Sequence, residues 1–162
     1  MNKTTQLKKL LLQRKALPCP GVYDALSARM VEYCGFQACQ ISGFGVSASS
    51  LGMTDASFTS LEEIVRITSN IVRAVDIPVM TDADTGYGNA VNVWWTTKRL
   101  EETGAAGMNL EDQCFPKRCG HMAGKQLISL GEMVGKIRAA VDAKRDPDFV
   151  INARTDAAYV CG

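Results

Sequence analysis

Apolar positions along this chain follow two alternating periods. Short apolar runs bounded by turn residues are separated by longer stretches with apolar residues every third or fourth position, the signature of strands and amphipathic helices in turn. Residues 1–15 mix Lys, Gln and Leu in the manner of an amphipathic helix, and Ala16–Pro20 is a short apolar segment. Asp24 is placed to cap a helix reaching about Cys34, with Leu26, Met30 and Tyr33 at helical spacing and Gly35 just beyond its end. Ala38–Ser42 is the next strand. Ser60 and Glu63, three apart, form a capping box for a helix to about Ala74, with Ile64, Ile67, Ile71 and Val75 on its inner face. Pro78–Asp82 is a strand, and Asn89 or Asn92 opens a helix that Gly104 stops. Gly107–Glu111 is a strand, Ser129 and Glu132 open a helix to about Lys144, and Phe149–Ala153 is the last strand.

Strand and helix therefore alternate about five times, which predicts an α/β fold with parallel strands and crossover helices. Polar residues gather at the C-terminal ends of successive strands: Ser42-Gly43, Asp82 to Asp84, Glu111-Asp112 and Arg154-Thr155-Asp156. In a (β/α)8 TIM-type barrel all strand ends face one mouth, whereas an open doubly wound sheet loads only its switch point, so the pattern favours the barrel. Five units are fewer than the eight of a closed barrel. The 162 residues are read as one domain, the N-terminal part of a barrel truncated to about its first five units. Such a sheet exposes edges at Val150-Ile151 and near Ala16-Leu17.

Composition narrows the function classes. The formal net charge is +1 with both signs mixed along the chain, unlike the basic stripe of a nucleic-acid binder. No apolar run approaches membrane-span length. The N-terminal segment lacks the uninterrupted apolar core of a signal peptide, which points to the cytoplasm. The six cysteines are irregularly spaced without a Cys-x-x-Cys pair, so reduced thiols are expected. Cys34 and Cys39 read as small core residues. Cys114, Cys119 and His121 lack a fourth ligand at zinc spacing.

Three segments carry candidate chemistry. Asp82 and Asp84, at i and i+2 on a strand, would share a face and address one divalent cation, with Gly86 and Gly88 turning the chain close by. Cys119 stands beside Lys117, Arg118 and His121, a positive setting that favours a thiol working in proton transfer. Gly120 and Gly124 suit a loop that closes over a ligand. Ser42, Gly43 and Phe44 follow a strand, where N–H groups and a hydroxyl can grip a carboxylate. Arg154 offers a fork of donors to a carboxylate, or alternatively pairs with an acid such as Asp156.

Taken in order, Ser42-Gly43, Leu51-Gly-Met-Thr-Asp55, Asp82-Ala-Asp-Thr-Gly-Tyr-Gly88, Glu111-Asp-Gln113, Lys117 to His121 and Ala153-Arg-Thr-Asp156 resemble the isocitrate lyase/phosphoenolpyruvate mutase superfamily. The likeness is to its 2,3-dimethylmalate lyase, methylisocitrate lyase and carboxyphosphonoenolpyruvate phosphonomutase-like branch, and it runs from about Pro20 to Asp156. The resemblance implies a (β/α)8 barrel and a Mg²⁺ site (Mn²⁺ as a substitute) at Asp82 and Asp84, with Glu111 and Asp55 nearby. It implies a gating loop with Cys119 as catalytic acid/base, and substrate contacts from Ser42, Gly43, Phe44, Gly120, His121 and Arg154. The implied activity is retro-aldol cleavage of a 2-hydroxy dicarboxylate by a homo-oligomeric carbon–carbon lyase. The alternatives are a phosphonomutase of the same superfamily, where Cys119 disfavours a phosphoenolpyruvate mutase but not the phosphonomutase-like branch, and an inactive fragment stabilised by pairing. Isocitrate and methylisocitrate lyases carry Tyr two residues before the Ser; Gln40 stands here, so the general base is unassigned.

Overall fold

A computed structural model describes residues 1–13, 15–120 and 122–162. Five strands form one wholly parallel sheet in the order β1-β2-β3-β4-β5. They are β1 (Gly21–Val22), β2 (Cys39–Ile41), β3 (Val79–Asp82), β4 (Gly107–Glu111) and β5 (Val150–Arg154). Spatial order equals chain order, with no reversal. That is the arrangement of consecutive barrel units, not of a doubly wound sheet.

Between the strands lie α2 (Ala25–Tyr33), α3 (Gly43–Leu51), α4 (Leu61–Ala74), α5 (Ala90–Glu102) and α6 (Leu130–Ala143); α1 (Lys3–Leu12) precedes the sheet and α7 (Ala157–Val160) follows it. The starts follow local chemistry. Asp24, Ser60 and Asn89 each accept a backbone N–H and close a reciprocal capping box, satisfying donors that the first turn leaves free. Ser129 caps α6 by accepting from the Glu132 N–H.

The main core runs from Val22, Ile41 and Val79 through Met108 and Leu110 to Phe149. Ile64, Ile67, Ile71 and Val75 all lie in it, as their spacing predicts. A smaller cluster joins Leu7 of α1 to Ala38, Met80 and Ala106 at the N-terminal side of the sheet. Lys3 ties α1 to the end of α4 by donating to the carbonyls of Val72 and Val75.

The structure refines the pattern at three places. The first strand is Gly21–Val22, not Ala16–Pro20. Leu26, Met30 and Tyr33 keep helical spacing but are 68%, 61% and 92% exposed, and Ala28 is the position α2 buries. Cys34 is exposed. Cys39 is buried as expected, and burial pushes its thiol up to about 12, which leaves it inert. No helix among the described residues is long and apolar enough to cross a membrane.

Candidate active site

The C-terminal ends of β1 to β5 open on a cleft of about 370 Å³ that meets Ser42, Gly43, Phe44, Asp55, Asp82, Glu111, Lys117, Cys119, Gly120 and Arg154. The shared mouth is what the polar strand ends predict. Its interior arrangement is not what strand periodicity predicts.

β3 ends at Asp82, and Asp84 has already left it, with φ of 52° in the left-handed region. The two carboxylates therefore do not converge by strand alternation. They are joined by a turn in which Asp82 Oδ1 accepts the Asp84 N–H at 2.9 Å and Asp84 Oδ1 accepts the Thr85 N–H at 2.8 Å. Behind this turn, the buried Lys136 of α6 donates to the Thr85 carbonyl at 3.0 Å.

The centre of the cluster is Lys117. Its Nζ stands 3.0 Å from Asp55 Oδ2, 3.6 Å from Asp84 Oδ1, 3.9 Å from Asp82 Oδ2 and 3.9 Å from Glu111 Oε1. Its side chain is only 5% exposed. Burial alone would lower its pKa, but the carboxylates of Asp82, Asp84, Glu111 and Asp55 outweigh that and raise it above the ordinary lysine range. Burial also raises the acids, Asp84 to about 6 and Glu111 to about 7. In both, the Lys117 ammonium pulls down while neighbouring carboxylates push up. Lys117 turns to the acids, and Arg118 donates to the Ala123 carbonyl.

Ser42 and Gly43 are engaged within the protein. Ser42 caps α3, its hydroxyl accepting from the Gly45 N–H. The Gly43 N–H donates to Asp82 Oδ2 at 3.0 Å, so the positive end of α3 faces an acid of the cluster. A Cβ on Gly43 would lie 2.3 Å from that same oxygen; only glycine lets the helix approach so closely. Phe44 lies beside them, half exposed in the cleft.

The loop carrying Lys117, Cys119 and Gly120 is closed at its neck, where Gln113 bridges Leu127 and the Cys114 N–H donates to the Gln126 carbonyl. Two residues not singled out for a role anchor it. Gln113, fully buried, donates to Glu111 and Asp156 and accepts the Arg118 N–H. Ser57, at φ of 61°, accepts the Lys117 N–H and donates to Asp84. Gln113 follows Glu111 in the acidic motif and had that signal; Ser57 carries none in the sequence. Arg154 reaches Glu111 Oε2 at 3.6 Å and keeps a side chain 46% exposed toward the cleft. Its acid partner is thus Glu111; Asp156 is held by Lys125 and Gln113. Asp112 is not in the cluster, since it accepts from Thr155 and the Asp156 N–H and braces β4 to β5. His121 lies outside the described residues.

The acids suit a hard divalent cation in charge and donor type. Their spacing suits an ammonium: among the described residues, no three His, Cys, Asp or Glu side chains are drawn together as a ready metal site. Lys117 is the charge around which they are arranged.

The model of the phosphoenolpyruvate phosphomutase family matches residues 7–160. The chain belongs to that family. Among family relatives, it is 47% identical to 2,3-dimethylmalate lyase of Eubacterium barkeri over 97% of this chain and 54% of that protein. The structure of oxaloacetate acetylhydrolase in complex with 3,3-difluorooxalacetate matches at a TM-score of 0.93 and 39% identity, covering 99% of this chain and 56% of that one. Phosphonopyruvate hydrolase in complex with oxalate and Mg²⁺ matches at 0.89 and 35% identity, over 97% and 53% of the two chains. The chain thus spans about half the length of the relatives it matches.

Proposed function

We propose that this chain carries the cation-binding and proton-donating part of a Mg²⁺-dependent carbon–carbon lyase acting on a 2-hydroxy dicarboxylate. The observation that carries the reading is the gathering of Asp55, Asp82, Asp84 and Glu111 around one positive charge, in a cleft that also presents Arg154 and Cys119. A relative named 2,3-dimethylmalate lyase and a structural neighbour holding oxalate and Mg²⁺ support it.

Asp82, Asp84, Glu111 and Asp55 would hold the cation, which supplies Lewis-acid stabilisation of developing negative charge on substrate oxygens. Arg154 would bind a substrate carboxylate with its exposed fork. Phe44 and Gly120 line the remaining wall. Loss of the 2-hydroxyl proton and cleavage of the adjacent carbon–carbon bond leave an α-keto acid and a carbanionic carboxylate fragment. Cys119 would donate its thiol proton to that carbon and return to the thiol by taking up the proton released at the hydroxyl. Gln40 lines the cleft but is no base. The reading includes self-association as a homo-oligomer.

The test is α-keto acid release from 2,3-dimethylmalate and related 2-hydroxy dicarboxylates, with Mg²⁺ and with chelator, in full-length protein. Release that needs Mg²⁺ and falls at least about 100-fold in Cys119→Ser, with substrate binding kept, is expected. The family description favours a phosphonomutase as the second reading. Turnover of a phosphonate with none of any 2-hydroxy dicarboxylate would establish that reading instead.

A further inference from the structure

We infer that Gln113 is a positioning residue: its carboxamide ties the chain beside Cys119 to the ends of β4 and β5 and so sets where the thiol stands over the cleft. The inference rests on the reading of Cys119 as the proton donor of a lyase. In that reading the S–H proton goes to the carbanionic carbon, and the thiolate recovers the proton lost by the 2-hydroxyl.

Gln113 is fully buried and spends its amide on three separate segments. Its Nε2 donates to Glu111 Oε1 at 3.2 Å and to Asp156 Oδ2 at 3.1 Å, while its Oε1 accepts the Arg118 N–H at 3.0 Å. A carboxamide supplies two N–H donors and a carbonyl acceptor at one end of a side chain. A carboxylate in its place would stand against two others, and an apolar side chain would leave all three partners unmet. Arg118 adjoins Cys119 directly, whereas the Lys117 N–H, held by Ser57, lies one residue further back.

Packing alone does not hold the loop there. Gln113, Lys117 and Arg118 lie between two open spaces, the cleft of about 370 Å³ and a cavity of about 500 Å³ that also meets Phe115 and Met122. With room on both sides, hydrogen bonds decide where this stretch of chain stands. Past Arg118, the Cys119 carbonyl accepts the Met122 N–H at 2.8 Å in a turn. A Cβ on Gly120 would lie 3.8 Å from Arg154 Nη2. The thiol-bearing turn therefore stands beside the guanidinium that would grip a substrate carboxylate, and a misplacement of about 1 Å at such a site costs on the order of 100-fold in rate.

The test uses Gln113→Glu and Gln113→Met in the full-length protein at saturating Mg²⁺. Both variants should release α-keto acid from the 2-hydroxy dicarboxylate with kcat at least about tenfold lower and KM within about threefold of wild type, because Arg154 still binds the carboxylate. Iodoacetamide labelling read by peptide mass spectrometry supplies the second readout. Cys119 should be alkylated severalfold faster in the variants than in wild type, relative to exposed Cys34. Gln113→Met adds no charge and decides the matter should Gln113→Glu fail to fold. An unchanged kcat in a folded variant would overturn the inference and leave the lyase reading standing. A lower kcat with Cys119 alkylated at the wild-type rate would overturn it as well, since the thiol would not have moved. A wild type that cleaves no 2-hydroxy dicarboxylate would overturn both.

Discussion

Glu111 and Asp84 are acids held where their charge is costly. Burial raises Glu111 from 4.5 to about 7 and Asp84 from 3.8 to about 6, and Lys117 offsets only part of it. Between those limits the folded state holds protons that the unfolded chain has lost. Stability therefore falls as pH rises from about 4 to about 7. The contribution is fully present below the unfolded values and lost above the folded ones. Lys117 stays charged throughout this window, its pKa being raised. In chelator, the urea midpoint of the wild type should decline across that range, and Glu111→Gln should flatten the upper part of the decline. An equal slope in the variant would show that Glu111 ionises as freely in the fold as in the unfolded chain. Which way Lys117 points was not legible in the sequence. It sits in a loop with no period to fix a face, and beside a thiol that invited the opposite pairing.

At the level of elements, caps were legible and crowding was not. Asp24, Ser60 and Asn89 announce α2, α4 and α5 because a polar side chain three residues before its partner has one good local use. α3 was not foreseen: its sequence GFGVSASSL is rich in small residues and buries only Val46 and Ser47, too sparse a stripe to show a helical period. Yet α3 aims its first N–H at Asp82. Gly43→Ala should therefore displace the Asp82 carboxylate, since the new Cβ would meet it at 2.3 Å, and weaken Mg²⁺ binding at least about tenfold. Gly131→Ala in α6 meets nothing within 4 Å and should leave Mg²⁺ affinity unchanged while stabilising the helix by up to about 1 kcal/mol. Calorimetric titration of both variants checks the pair. Equal affinities for Gly43→Ala and wild type would mean that Asp82 takes no part in holding the ion.

For the molecule as a whole, consecutive strand order makes the strand ends one functional surface. Polar residues at those ends were readable one strand at a time, and the fold brings them to one cleft. Their pairwise geometry depends on contacts between segments far apart in the chain: Asp55 to Lys117, Gly43 to Asp82, Gln113 to Asp156. No local pattern encodes those. The chain spans about half of its relatives' length, so the decisive measurement belongs on the full-length protein: anomalous diffraction from crystals grown with Mn²⁺. The expected result is one strong peak among the carboxylates of Asp55, Asp82, Asp84 and Glu111. Anomalous density only elsewhere at saturating Mn²⁺ would contradict the account.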